Sequence, residues 1–86
     1  MTQDGKYKEA IAALSEAIRL NPGHATAYNA RGYSYLRARN VKAAIADFNE
    51  AIRLDPAYVN AYHNRAAARK AAGDAAGAAD DEKHSK

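Results

Sequence analysis

Pro22 and Pro56 each close nearly the same phrase. The first runs Ala10-Ile11-Ala12, then Glu16-Ala17-Ile18-Arg19-Leu20-Asn21-Pro22. The second runs Ala44-Ile45-Ala46, then Glu50-Ala51-Ile52-Arg53-Leu54-Asp55-Pro56. Past each proline comes Ala-Tyr-x-x-Arg: Ala27, Tyr28 and Arg31, then Ala61, Tyr62 and Arg65. One fixed interval relates every pair. A period of this length marks stacked helical units, none of which can bury its apolar face alone. It sets the architecture without naming a partner.

Within each phrase the apolar residues recur every three to four positions: Tyr7, Ala10, Ile11, Leu14, Ala17 and Ile18, then Val41, Ala44, Ile45, Phe48, Ala51 and Ile52. That is one face of a helix. Asn21-Pro22 and Asp55-Pro56 end these helices, because proline cannot extend the hydrogen-bond ladder and restricts the residue before it. A second helix type lies between, with Tyr28, Gly32 and Tyr35 on one stripe and Tyr62 and Ala66 on the matching stripe. Gly73 suits a helix C-terminus and Asp74 an N-cap, and Asn40 stands in the same place one period earlier. Five helices are predicted, over about 6–20, 25–38, 41–54, 59–72 and 75–83. Their order is B-A-B-A-B, with A the tyrosine-glycine type. The last is the weakest, since Glu82 replaces Leu14 and Phe48 in register and Gly77 costs it up to about 1 kcal/mol.

Eighty-six residues make one small domain, and such a chain buries only roughly 60% of its unfolded surface. Cysteine is absent, which excludes disulfides and thiolate chemistry. No apolar run approaches a membrane span, and Met1-Thr2-Gln3-Asp4-Gly5 has no apolar signal segment. A cytoplasmic protein is expected. The net charge of +3 is small, and basic residues alternate with acidic ones, so nucleic acid is an unfavoured partner.

The chain resembles the tetratricopeptide repeat family, whose unit is a helix-turn-helix of about 34 residues with an aromatic, Leu-Gly, Tyr, Ala, Phe and Pro pattern. The middle unit reads Tyr28-x-x-Arg31-Gly32-x-x-Tyr35, Ala44-x-x-x-Phe48 and Pro56. Tyrosine stands for the pattern's tryptophan and Arg31 for its leucine. The N-terminal half unit keeps Tyr7, Ala10, Ala17 and Pro22. The C-terminal unit keeps Tyr62, with Ala66 for the glycine and Arg69 for the second tyrosine. The resemblance implies an all-α, right-handed solenoid of antiparallel helix pairs. It divides the chain into a half repeat at about 5–24, a complete repeat at 25–58, a partial repeat at 59–83 and a frayed tail at 84–86. Asp47 follows Arg31 at the same interval by which Asp81 follows Arg65. Each arginine is expected to pair with the aspartate of its own repeat. On an exposed surface such a pair contributes about 0–1 kcal/mol.

The resemblance further implies that the A helices line a concave face that binds an extended peptide or a helix. Thr26, Asn29, Tyr33 and Arg37 on the first A helix, and Asn60, His63, Asn64 and Lys70 on the second, are the candidate peptide-binding residues. Asparagine can both donate to and accept from a peptide backbone. Arg37 and Lys70 suit a carboxylate, and Tyr33 offers a flat apolar surface with a polar tip. Some family members hold a C-terminal carboxylate with a lysine-asparagine clamp. Asn64 fits one clamp position, but Asn29 and Tyr33 stand where lysine and asparagine are needed, so that specificity is not expected.

No cofactor, metal site or enzymatic activity is expected. His24, His63 and His84 are scattered, Ser15, Ser34 and Ser85 lack a nucleophile elbow, and the five glycines form no phosphate loop. The chain opens on a B helix, so Tyr7, Ile11, Leu14 and Ile18 form a candidate self-association face. A two-fold homodimer, with or without exchanged helices, or a longer parent chain would cover it. Two other function classes remain. One is a weak nucleic-acid binder using Arg31, Arg37, Arg39, Arg65, Arg69 and Lys70 with Tyr33 as a stacking surface. The other is a ligand-free structural or engineered scaffold.

Overall fold

The structure is a computed structural model, and it describes residues 2–84, with side chains from residue 6 onward. It has five helices: α1 (Thr2–Leu20), α2 (Ala25–Arg37), α3 (Val41–Leu54), α4 (Val59–Ala71) and α5 (Ala75–His84). Among the described residues there is no strand. No helix there is long and apolar enough to cross a membrane. The predicted helices and their order are present. Ser85 and Lys86, part of the expected frayed tail, lie outside the described residues. His84 belongs to α5, where its ring stacks on Tyr62 with centroids 4.6 Å apart. The start of α1 also differs from expectation: it runs through Gly5 to Thr2. A glycine inside a helix costs only about 1 kcal/mol, which the remaining backbone bonds of a 19-residue helix absorb.

Helix spacing follows from the turns. At the α2–α3 turn Asn40 N–H bonds the Tyr35 carbonyl at 2.8 Å, and Arg39 N–H bonds that of Leu36 at 3.0 Å. At the α4–α5 turn Asp74 N–H bonds the Arg69 carbonyl at 2.7 Å, and Gly73 N–H bonds that of Lys70 at 3.0 Å. These are two copies of one Schellman turn, with Arg39 (φ 69°) and Gly73 (φ 86°) in the left-handed position. The next residue then caps the following helix. Asn40 Oδ1 accepts from Ala43 N–H, and Asp74 Oδ1 accepts from Gly77 N–H. At the α3–α4 turn Asp55 Oδ1 accepts from Ala57 N–H at 3.2 Å beside Pro56.

The helices pack as a slab of about 31 × 30 × 17 Å. Adjacent helices are in contact along the chain, and the two A helices, α2 and α4, also touch. The core is small: Ala44, Phe48 and Ala68 are fully buried, with Tyr35, Leu36, Val41 and Ile45 packed against them. Gly32 sits directly over Phe48. A Cβ added there would lie 2.7 Å from the Phe48 ring and 3.1 Å from the Ala44 carbonyl oxygen. Only a missing side chain lets α2 approach α3 this closely.

A polar staple recurs once per repeat. Arg31 donates to both carboxylate oxygens of Asp47 on α3, at 2.8 and 2.7 Å, and to Ser15 Oγ on α1 at 3.2 Å. Arg65 does the same to Asp81 on α5, at 2.9 and 2.7 Å, and to Asn49 Oδ1 on α3 at 2.8 Å. The predicted pairings are present, but their setting differs from the exposed one expected. The carboxylate side chains of Asp47 and Asp81 are only 7% and 2% exposed. Each guanidinium also lies over tyrosine: Arg31 over Tyr28 and Tyr35, Arg65 over Tyr62. The Asp47 carboxylate holds Arg31 above its ordinary pKa, against partial desolvation. Where the pattern's second tyrosine is missing, Arg69 takes its place and donates to Asp81 at 3.0 Å and to the Gly77 carbonyl at 3.1 Å.

Candidate concave-face site

The two A helices bring their asparagines together. Asn64 Nδ2 donates to Asn29 Oδ1 at 3.1 Å, across the line where α4 meets α2. Asn29 Nδ2 in turn donates to Tyr58 Oη at 3.3 Å. Tyr58 is the N-cap residue of α4, so the α3–α4 turn closes one end of this network. Asn29 and Asn64 are half-buried. Such an amide pair presents donors and acceptors that a peptide backbone can join.

Toward the C-terminal end of α2 the surface changes character. Tyr33 is 47% exposed. Arg37, one turn on, is exposed, and its Nε donates to Tyr7 Oη on α1 at 3.4 Å. That bond holds Arg37 above its ordinary pKa. Thr26, Asn60 and His63 are exposed, with Thr26 and Asn60 in the first turns of α2 and α4. Lys70 is exposed and engaged: its Nζ pairs with Glu82 on α5 at 2.8 Å. The surface therefore runs from a neutral amide pair to a single arginine framed by two tyrosines.

Tyr58 and Tyr7 were missed as members of this surface. No sequence periodicity marks Tyr58, because His24 precedes it by one period. Ser15 and Asn49, the outer ends of the arginine staples, carried a usable signal. Each lies as far before its arginine as the paired aspartate lies after it. Among the described residues no group of three or more histidines or carboxylates could hold a metal ion.

The cations considered for nucleic acid are mostly engaged. Arg31, Arg65 and Arg69 serve buried aspartates, and Lys70 serves Glu82. On the outer side, Arg19 and Arg53 bond Glu16 and Glu50, with Nε–Oε1 distances of 3.0 and 2.9 Å. Both glutamates are held below their ordinary pKa by these arginines.

The candidate self-association face is partly covered by the chain itself. Ile18 is 8% exposed and so presents little surface, while Tyr7, Ile11 and Leu14 are half-buried. Register shows where α1 is open. Ala44, Phe48 and Ala51 of α3 are fully buried, whereas Ala10, Leu14 and Ala17, one period earlier, are only half-buried.

No curated protein matches the chain. Among solved structures, it is similar to the first TPR of Spaghetti (RPAP3) bound to the HSP90 peptide SRMEEVD. The identity is 31% and the TM-score 0.92, over 94% of this chain and 64% of that one. It is also similar to the second TPR of Spaghetti (RPAP3) bound to the same peptide. There the identity is 28% and the TM-score 0.91, over 98% of this chain and 78% of that one. This chain thus spans a little under two thirds of the length of the first of these. The family model for the tetratricopeptide repeat matches residues 3–59, which takes in both proline phrases and the whole of the repeat between them. With that match, the recurring proline register and the paired helical hairpins, the chain belongs to the tetratricopeptide repeat family.

Proposed function

We propose that this chain is a protein-interaction module that binds an extended peptide along the face formed by α2 and α4. The observation that carries the reading is the Asn29–Asn64 amide pair, half-buried at the junction of the two A helices beside exposed Tyr33. Amides placed in this way can bond successive peptide groups of an extended strand, while Tyr33 packs on a side chain. The two similar domains above bind a peptide, so SRMEEVD is a suitable first probe, although the lysine of a carboxylate clamp is absent at Asn29. Isothermal titration and affinity capture with the wild-type chain, against Asn64→Ala combined with Tyr33→Ala, test the reading. Loss of ligand with unchanged helicity supports it. Equal binding by the double variant would falsify it.

A second reading is self-association through α1, favoured by the half-open Ala10, Leu14 and Ala17. A second copy of the chain is the proposed cover. The two readings share Tyr7, which bonds Arg37 at the edge of the concave face.

A further inference from the structure

Arg37 is held unlike the other paired arginines of the fold. Arg19, Arg31, Arg53, Arg65 and Arg69 each bond a carboxylate. Arg37 instead uses its Nε on the Tyr7 hydroxyl, a neutral group, at 3.4 Å. Among the side chains described, from residue 6 onward, its two Nη groups have no hydrogen-bond acceptor, and the Arg37 side chain is exposed. Tyr33 lies one turn earlier on the same stripe and is exposed. The setting is also basic. Lys6 and Lys8 flank Tyr7, Arg39 and Lys42 follow Arg37 around the α2–α3 turn, and all four are exposed and outside any ion pair among the described residues. Asp4 and Glu9 are the carboxylates of the same stretch of α1, and of these only the Glu9 side chain is among those described.

We propose that Arg37, positioned by Tyr7 and flanked by Tyr33, is a subsite for an aspartate or glutamate side chain of the bound peptide. The proposal rests on the concave-face reading and adds to it the chemistry of one ligand position. A guanidinium anchored through Nε keeps its two outer nitrogens free for two parallel hydrogen bonds to a carboxylate. The tyrosine rings supply surface for the methylenes that carry that carboxylate. The neighbouring cations raise the local potential and speed encounter without making contact. A nucleic-acid backbone is the less favoured anion. It needs cations continued along a strand, and Arg65, Arg69 and Lys70, which would carry the stripe onto α4, are bound to Asp81 and Glu82.

The test follows the arginine Nε–H resonances of the isotope-labelled chain during titration with the capped dipeptides Ac-Glu-Glu-NH2 and Ac-Gln-Gln-NH2, and with a short oligouridylate. The expected result is a saturable shift at Arg37 with the acidic dipeptide, absent with its glutamine twin, and unchanged resonances for Arg31 and Arg65. In Arg37→Gln the shifts at Tyr7 and Tyr33 should vanish, and in Tyr7→Phe affinity should fall by about three- to fivefold, the scale of an exposed charge contact. Arg37→Lys should retain part of the binding, because charge survives while the fork is lost. Equal shifts with both dipeptides, or a shift map that avoids Arg37, overturns the proposal. Tighter binding of oligouridylate at the same residues overturns the peptide assignment. The Asn64→Ala variant separates the two levels. If peptide binding is indifferent to Asn64 yet Arg37 still takes the acidic dipeptide, the groove reading fails while the subsite stands. If peptides bind through Asn64 without preference for acidic residues, the reverse holds.

Discussion

Arg39 and Gly73 occupy the same place in two equal turns, at φ 69° and 86°, and only glycine takes this position without a steric penalty. A left-handed residue with a Cβ costs roughly 1–2 kcal/mol, and replacing it with glycine loses roughly 0.5–1 kcal/mol through the freer unfolded chain. Arg39→Gly is therefore expected to stabilise the protein by about 0.5–1 kcal/mol, read as a rise of a few degrees in thermal midpoint. An unchanged or lower midpoint refutes this. Gly32 behaves oppositely. Alanine there gains about 1 kcal/mol of helix propensity, but its Cβ meets a ring that is fully buried and cannot swing away. Overpacking of that kind costs about 1–3 kcal/mol, so Gly32→Ala should lower stability in urea unfolding by about 1 kcal/mol. Adding Phe48→Leu should recover part of the loss, and strictly additive effects would show that the contact is not the cause.

At the scale of helices, the sequence was informative wherever a feature repeated. The proline phrases, the Tyr-x-x-Arg stripe and the equal Arg–Asp intervals placed five helices and two cross-hairpin pairs. What did not repeat was not legible. Lys70 sits on the correct stripe for the groove, but spacing cannot say which neighbour claims a long side chain, and Glu82 on α5 claims it. Nor could spacing show that the aspartates are buried. That follows from alanine-rich helices approaching closely enough to enclose them. The consequence is energetic. Removing one partner of a buried pair costs about 3–5 kcal/mol, far above the value of an exposed pair. The two repeats should express that cost differently. Asp47 lies in the middle of the fold, so Asp47→Ala is expected to lower the midpoint of the whole chain. Asp81 joins α5 to α4, and α5 buries little else besides Ala78. Asp81→Ala should therefore release α5, with fast amide exchange over Ala78–Lys83 and retained protection in α2 and α3. Global unfolding of Asp81→Ala at the same denaturant as Asp47→Ala would contradict the argument.

Across the whole molecule, the repeat is enclosed unevenly. Phe48 has helices on both sides and is fully buried, while Leu14, its counterpart one period earlier, has α2 on one side only and remains half-buried. Ala10 and Ala17 are opened with it, where Ala44 and Ala51 are closed. Completing the burial of one leucine is worth up to about 1.5–3 kcal/mol, and in an isologous contact each copy contributes the same stripe. Association of two bodies costs about 4–15 kcal/mol before any surplus appears. A stripe of two alanines and one leucine therefore supports only a weak dimer, in the millimolar range or above. Analytical ultracentrifugation should show a concentration-dependent rise in mass. Leu14→Glu should return the chain to monomer at every concentration, with little change in unfolding of the monomer, because the residue is already half-exposed. A strictly monomeric wild type would end the self-association reading. A dimer that survives Leu14→Glu would move it to another face. Neither result would touch peptide binding at Asn29 and Asn64, which lie on the A helices rather than on α1.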